Sequence, residues 1–188
     1  MRRVFLALPF ALLPLAVAHA HEDHDHDHDH AHGSLAAHEH GVARLNVVLD
    51  GKALELELQS PAMNLVGFEH KASSEADKAK VAAVRAQLEK PLALFTLAKA
   101  AECSESAQAL ESPLFGDTPA ATAADKHDHS EIHAHYTFAC AKPEQLTGFD
   151  LSPLFKAFPA TQKIQLQLIG LNGQQGIEAT AANASIPF

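Results

Sequence analysis

Basic residues are scarce in this chain: 14 Lys and Arg stand against 23 Asp and Glu, for a formal net charge of −9 at pH 7. Nucleic-acid phosphates and anionic lipid surfaces are recognised by Lys and Arg clusters, so both partner classes are excluded and cations are favoured. Cysteine is nearly absent. The two present, Cys103 and Cys140, are 37 positions apart, which excludes the close Cys-x-x-Cys spacing of structural zinc sites. Methionine is equally sparse, with two residues. Met63 is a soft donor suited to Cu(I), but a lone methionine reads as packing. Beyond the N-terminal segment no stretch is apolar enough to cross a bilayer. Missing too are a His-Glu-x-x-His pair and any nucleophile motif. A zinc-dependent hydrolase, with Glu69 as its base, therefore stays a remote alternative, and no catalytic residue is assigned.

Residues 1–20, MRRVFLALPFALLPLAVAHA, read as a secretory signal peptide. Arg2 and Arg3 precede an uncharged run from Val4 to Val17, and Ala18-His19-Ala20 fits the small-x-small cleavage pattern. The run is shorter than the roughly 20 residues that span a bilayer, and prolines interrupt it. Cleavage near Ala20 makes His21 the new N-terminus, leaves the mature chain still more acidic, and implies no stable membrane insertion. In an exported protein the two cysteines read first as a Cys103–Cys140 disulfide. Closing that loop is worth roughly 3–4 kcal/mol in the chain-entropy account.

Histidine, by contrast, is plentiful, with 14 residues. Residues 21–40 carry His21, His24, His26, His28, His30 and His32 among Asp and Glu, then His38 and His40. This segment has almost no apolar content and is expected to be a disordered tail. Neutral imidazole is a common ligand for zinc and also suits copper and nickel. Alternating His and Asp offer many overlapping ligand sets, so the tail is expected to bind several ions exchangeably, with protons competing below about pH 6. His38 and His40 share one face of an extended segment. A further cluster comprises His127, His129, His133 and His135. The residue types leave the metal's identity open between zinc, copper and nickel.

From residue 41 to 188 the pattern is that of a single globular domain. Ala43, Leu45, Val47 and Leu49, then Leu54, Leu56 and Leu58, alternate with more polar positions around Asp50-Gly51, predicting a hairpin that Ser60-Pro61 ends. Residues 73–89 predict a helix capped by Ser73 or Ser74, with Val81, Val84 and Leu88 on one stripe and Pro91 beyond its end. Ala101 to Leu110 reads as a strand and residues 111–130 as a polar loop bearing histidines. Ile132, Ala134, Tyr136, Phe138 and Cys140 form the apolar face of another strand, which sets His133 and His135 on the wet face beside Glu131. A short helix or turn at Leu151 to Phe158, a strand at Ile164 to Leu168 and a last strand at Gly176 to Ala182 complete the reading. The fold class is α+β: a mainly antiparallel sheet with one principal helix packed on it, preceded by the tail. A His-x-His pair on a strand is better preorganised than a tail.

The stretches HEHGVARLNVVLDG (38–51), SPAMNLVGFEH (60–70), HAHYTFAC (133–140) and LFKAFP (154–159) together resemble the ZrgA family of periplasmic zinc-binding proteins. The resemblance covers nearly all of the mature chain. It implies a periplasmic protein that captures and buffers Zn2+ and assists its uptake by a high-affinity zinc importer of the ABC type, without catalysis. It also draws His70 into the candidate ligands; by itself His70 reads as a loop histidine capping the next helix, with Gly67 at a turn and Phe68 packing. A copper or nickel chaperone is the alternative.

Overall fold

A computed structural model describes residues 39–116, 130–170 and 172–188. The expected signal peptide, residues 21–38 of the expected tail and residues 117–129 of the expected loop lie outside the described residues. Strand β1 (Val42–Asp50) and strand β2 (Ala53–Pro61) form the antiparallel hairpin. Asp50 faces Ala53 across the turn, so its two central residues are Gly51 and Lys52. Gly51 takes φ +56°, a conformation that glycine adopts without a Cβ penalty. As the sequence suggests, Ser60-Pro61 ends the hairpin: pairing with β1 stops at Gln59 and β2 stops at Pro61, while Ser60 and Pro61 pair with the start of a later strand. Proline has no N–H to donate, so it is confined to strand ends and edges, and here it is the last residue of its strand.

Helix α1 (Ala62–Leu65) and helix α2 (Glu75–Leu88) follow. Ser74 caps α2: its hydroxyl accepts from the Asp77 N–H, and Asp77 accepts in return from the Ser74 N–H, a capping box. His70 is therefore not the cap. Val81, Val84 and Leu88 are the buried stripe of α2. Helix α3 (Pro91–Leu94) leads to strand β3 (Thr96–Leu97), then to β4 (Cys103–Glu111) and β5 (Glu131–Cys140). Strand β6 (Gly148–Asp150), helix α4 (Ser152–Ala157), β7 (Lys163–Gly170), β8 (Gly173–Thr180) and β9 (Ser185–Pro187) complete the order.

The principal sheet has the order β4-β5-β2-β1-β7-β8. Its pairs are antiparallel except β1 with β7, which is parallel. That pair is anchored where the amides of Gln162 and Lys163 both donate to the Gly41 carbonyl. A second sheet, β3-β6-β9, has no counterpart in the sequence reading; its strands of two or three residues are too short to show alternation. Strand β8 is consequently not the last.

One face of the principal sheet is apolar. Leu45, Val47, Leu54, Leu56, Leu58, Ile132, Tyr136, Phe138, Ile164, Leu166 and Leu168 are all buried there. Each large aliphatic or aromatic side chain so buried contributes about 1.5–3 kcal/mol. Tyr136 crosses this core and donates its hydroxyl to the Leu88 carbonyl at 2.9 Å, tying β5 to the end of α2. Edge strand β4 is exposed on both faces over most of its length and carries a bulge between Glu105 and Ala107. Its first residue, Cys103, lies opposite Cys140 and is joined to it by the expected disulfide. Among the described residues no helix is long and apolar enough to cross a membrane.

Candidate metal centre

The pleat of β5 decides where its histidines go. Ile132, Ala134, Tyr136, Phe138 and Cys140 face the core, so His133 and His135 must face the other way. The neighbouring strands supply what lies around them. On β2, Gln59 is opposite His133 and Glu57 opposite His135; on β4, Glu111 is opposite His133 and Ala109 opposite His135. His133 Nε2 lies 3.3 Å from Glu131 Oε2, two residues earlier on the same strand, and His135 Nε2 lies 3.9 Å from Glu57 Oε1. Glu57 is itself fixed. Gln59 Nε2 donates to Oε1 at 2.8 Å and Asn46 Nδ2, from β1, donates to Oε2 at 3.1 Å.

The electrostatics follow from these contacts. The hydrogen bond to Glu131 raises the His133 pKa above the ordinary imidazole value; the charges of Glu131, Glu111 and Glu57 reinforce the shift and partial burial opposes it. The amides of Asn46 and Gln59 hold the Glu57 carboxyl below its usual range, against partial burial and with smaller help from His135 and His133. The contacts thus favour the ionised form of Glu57 and the protonated form of His133.

His40 and His70 are placed elsewhere. His40 lies two residues before the first residue of β1, half exposed, with Nε2 at 3.1 Å from Oε1 of Glu69. Glu69 is only 7% exposed. Its backbone carbonyl accepts from Ser130 Oγ, and the Ser130 carbonyl accepts from the Ala62 amide. Asn64, buried beside them, accepts from the Gly41 amide and donates to the Val42 carbonyl and Ser60 Oγ. The start of β1, the loop after α1 and the start of β5 are therefore locked together at one end of the sheet. His70 is exposed; its ring stacks on Phe68 with centroids 4.6 Å apart, and its Nδ1 is 3.1 Å from the Lys71 carbonyl. Gly67 does serve a turn, with φ +84°, and Phe68 is buried as the sequence suggests.

The structure thus sets His133 and His135 on one face of β5, while His40 contacts Glu69, and His70 contacts Phe68 and Lys71. His21, His24, His26, His28, His30, His32, His38, His127 and His129 lie outside the described residues. Cys103 and Cys140 are consumed by their disulfide and are not thiolate ligands. Among the described residues no group of three or more His, Cys, Asp and Glu side chains is arranged to hold a metal ion. What is present is a pair of imidazoles with a carboxylate beside each. Imidazole nitrogen and carboxylate oxygen are both donor types that Zn2+ accepts. Glu57, Asn46, Gln59 and Glu111 were not legible as site residues in the sequence. Alternation puts them on wet faces, but no local signal says which strands flank β5.

With this geometry in hand the family is identifiable. Residues 37–188 match the family described as ZrgA family zinc uptake protein. The class is therefore one of zinc uptake proteins, and the chain belongs to the ZrgA family. No curated protein matches the sequence.

Proposed function

We propose that the protein works in the periplasm after cleavage of residues 1–20, captures and buffers Zn2+ there, and assists its delivery to a high-affinity importer of the ABC type. The observation that carries the reading is the placement of His133 and His135 on one face of β5, with Glu131 at 3.3 Å and Glu57 at 3.9 Å from their Nε2 atoms. A strand holds two such imidazoles on one side without the ordering entropy that a tail must lose on binding. The histidines of residues 21–40, with His127 and His129, supply additional capacity of lower affinity, and exchange from them loads the strand site. The net charge of −9 attracts cations to both. Zinc, rather than copper or nickel, is supported by the family description; affinity alone would favour Cu2+ at nitrogen ligands.

The test is a zinc titration of the mature chain by calorimetry and by competition with a chromophoric chelator. His133→Ala combined with His135→Ala is expected to abolish the tightest step and leave most of the weaker capacity. Persistence of that step in the double variant places the site elsewhere. Elemental analysis of untagged protein from its native periplasm checks the metal, and a predominance of copper or nickel overturns the zinc assignment.

A further inference from the structure

The two edges of the principal sheet differ. Edge strands carry unpaired N–H and C=O groups and are ordinarily blunted by bulges, charges, proline or shortness. Strand β4 is blunted: it has the bulge between Glu105 and Ala107 and is pinned at its start by the disulfide. An antiparallel copy of β4 centred on Gln108 would also set Glu105 against Glu111, like charges face to face. Strand β8 has none of these devices. It runs for eight residues without proline or lysine, and its register against β7 is unbroken. Its one charged residue, Glu178, is paired with Lys163 Nζ at 3.2 Å.

The ladder decides which backbone groups of β8 are open. Gly170 lies opposite Gly173 across a two-residue turn, which makes them a hydrogen-bonded pair, and such pairs alternate along an antiparallel ladder. Gln175, Ile177 and Ala179 therefore bond to β7, while Gln174, Gly176, Glu178 and Thr180 direct N–H and C=O away from it. Thr180 agrees with this phase: its N–H donates to the Asn183 carbonyl, and its carbonyl accepts from the Asn183 N–H. That leaves Gln174, Gly176 and Glu178, all exposed, as a three-residue template. The glycine at its centre has no role in the single chain. Gly176 has no positive φ, sits at no bulge, and a Cβ there would meet nothing within 4 Å. Glycine weakens a strand interior, and where it forms no bulge or bend it marks the close approach of a ligand or another backbone.

We propose that β8 pairs antiparallel with β8 of a second copy about a twofold axis at Gly176, joining the two principal sheets into one. Gly176 then faces its own counterpart, and Gln174 of each chain faces Glu178 of the other, so no like charges meet. Each facing pair exchanges both of its N–H···O=C bonds. A side-chain amide beside a carboxylate is already used on this sheet, where Gln59 donates to Glu57. The template is short, so the contact is well below a standard interface and association is weak. Strands β4 and β5, with the histidine pair, lie at the far side of the sheet and stay uncovered.

The experiment is sedimentation velocity on the mature full-length chain, from about 10 µM to about 1 mM to suit a weak equilibrium. EDTA is present throughout, so that metal held by histidines does not bridge copies. The wild type is expected to pass from monomer to dimer across this range. Amides of Gln174, Gly176 and Glu178 should exchange more slowly as concentration rises, while those of Gln175 and Ile177 stay protected at every concentration. Gln174→Glu sets a carboxylate opposite Glu178 at both ends of the pairing and is expected to weaken dimerisation by about 3- to 30-fold; Gln174→Lys sets an opposite charge there and should strengthen it. Gln108→Glu, on β4, changes the net charge by the same amount and leaves association unaltered. Circular dichroism confirms that each variant is folded. A monomer at every concentration overturns the proposal, as does concentration-dependent protection on β4 in place of β8. Equal weakening by Gln108→Glu and Gln174→Glu reduces the association to general repulsion and overturns the register. A dimer that forms only when zinc replaces EDTA assigns it to metal bridging and not to β8. Protection of β8 only on adding an unrelated extended peptide marks a general peptide-binding edge and overturns self-pairing.

Discussion

Replacing Tyr136 by Phe tests how the strand bearing the histidine pair is anchored. Tyr136 is next to His135 in sequence, points to the opposite face, and is 1% exposed. Its hydroxyl donates to the carbonyl of Leu88, the last residue of α2, at 2.9 Å. The last carbonyls of a helix have no intrahelical partner, and Leu88 is fully buried, so water is not at hand to replace the phenol. Tyr136→Phe removes a hydrogen bond worth about 0.5–1.5 kcal/mol net and strands a buried acceptor, which costs about 1–3 kcal/mol; the two overlap, and about 2 kcal/mol is expected. For a domain of this size that is a fall of about 4–8 °C in Tm. Urea unfolding should be followed by far-UV circular dichroism, because the chain has no tryptophan and Tyr136 is its one tyrosine.

The same pair of proteins gives a pH test. Burial, with a smaller contribution from the charge of Glu105, pushes the Tyr136 pKa far above its ordinary value. A raised folded-state pKa means that the native protein holds the proton more tightly than the unfolded chain. The resulting stability is complete below the unfolded value of about 10 and is lost as pH rises beyond it. The wild type should therefore lose stability more steeply than Tyr136→Phe above about pH 10, and the gap between them should narrow. A neutral-pH difference below about 0.5 kcal/mol, the usual scatter of surface substitutions, would refute the reasoning.

Three further outcomes are expected. In the metal-free protein, NMR should find His133 titrating above 6.5, with Glu131→Gln bringing it down, because the raising hydrogen bond comes from Glu131; a wild-type midpoint at or below 6.5 contradicts the contact. Asn64→Ala removes side-chain bonds to the Gly41 amide, the Val42 carbonyl and Ser60, and should cost about 3 kcal/mol while speeding amide exchange at Gly41. A loss under about 1 kcal/mol would show that the junction is held by other groups. Cys103→Ala with Cys140→Ala should lower stability by about 3–4 kcal/mol but leave the tightest zinc step in place; loss of that step in a folded variant would sink the assignment of the cysteines to structure alone.

Much of the secondary structure was legible because it rests on local chemistry. Alternation at Leu54, Leu56 and Leu58, and again from Ile132 to Cys140, specifies strands and their wet faces. Ser74 and Asp77 box the start of α2, and Val81, Val84 and Leu88 mark its buried stripe. Where local signals are weak the reading failed or drifted. Strand β4 is an exposed edge without apolar alternation, so the strand expected at Ala101 to Leu110 is present but its bounds shift to Cys103–Glu111. The strands β3, β6 and β9 are too short to show a period.

The sequence by itself determined that His133 and His135 share one side of β5, because successive side chains of a strand alternate across the sheet. It also determined the pairing of the two cysteines and the acidic, histidine-rich character of the chain. Only the tertiary structure decided that β2 flanks β5 and that β1 flanks β2, in a register that sets Glu57 opposite His135 and Asn46 opposite Glu57. It likewise decided that Glu69 is buried against His40. Residues distant along the chain become neighbours through strand order and burial of the whole apolar face, and neither is encoded in any one segment.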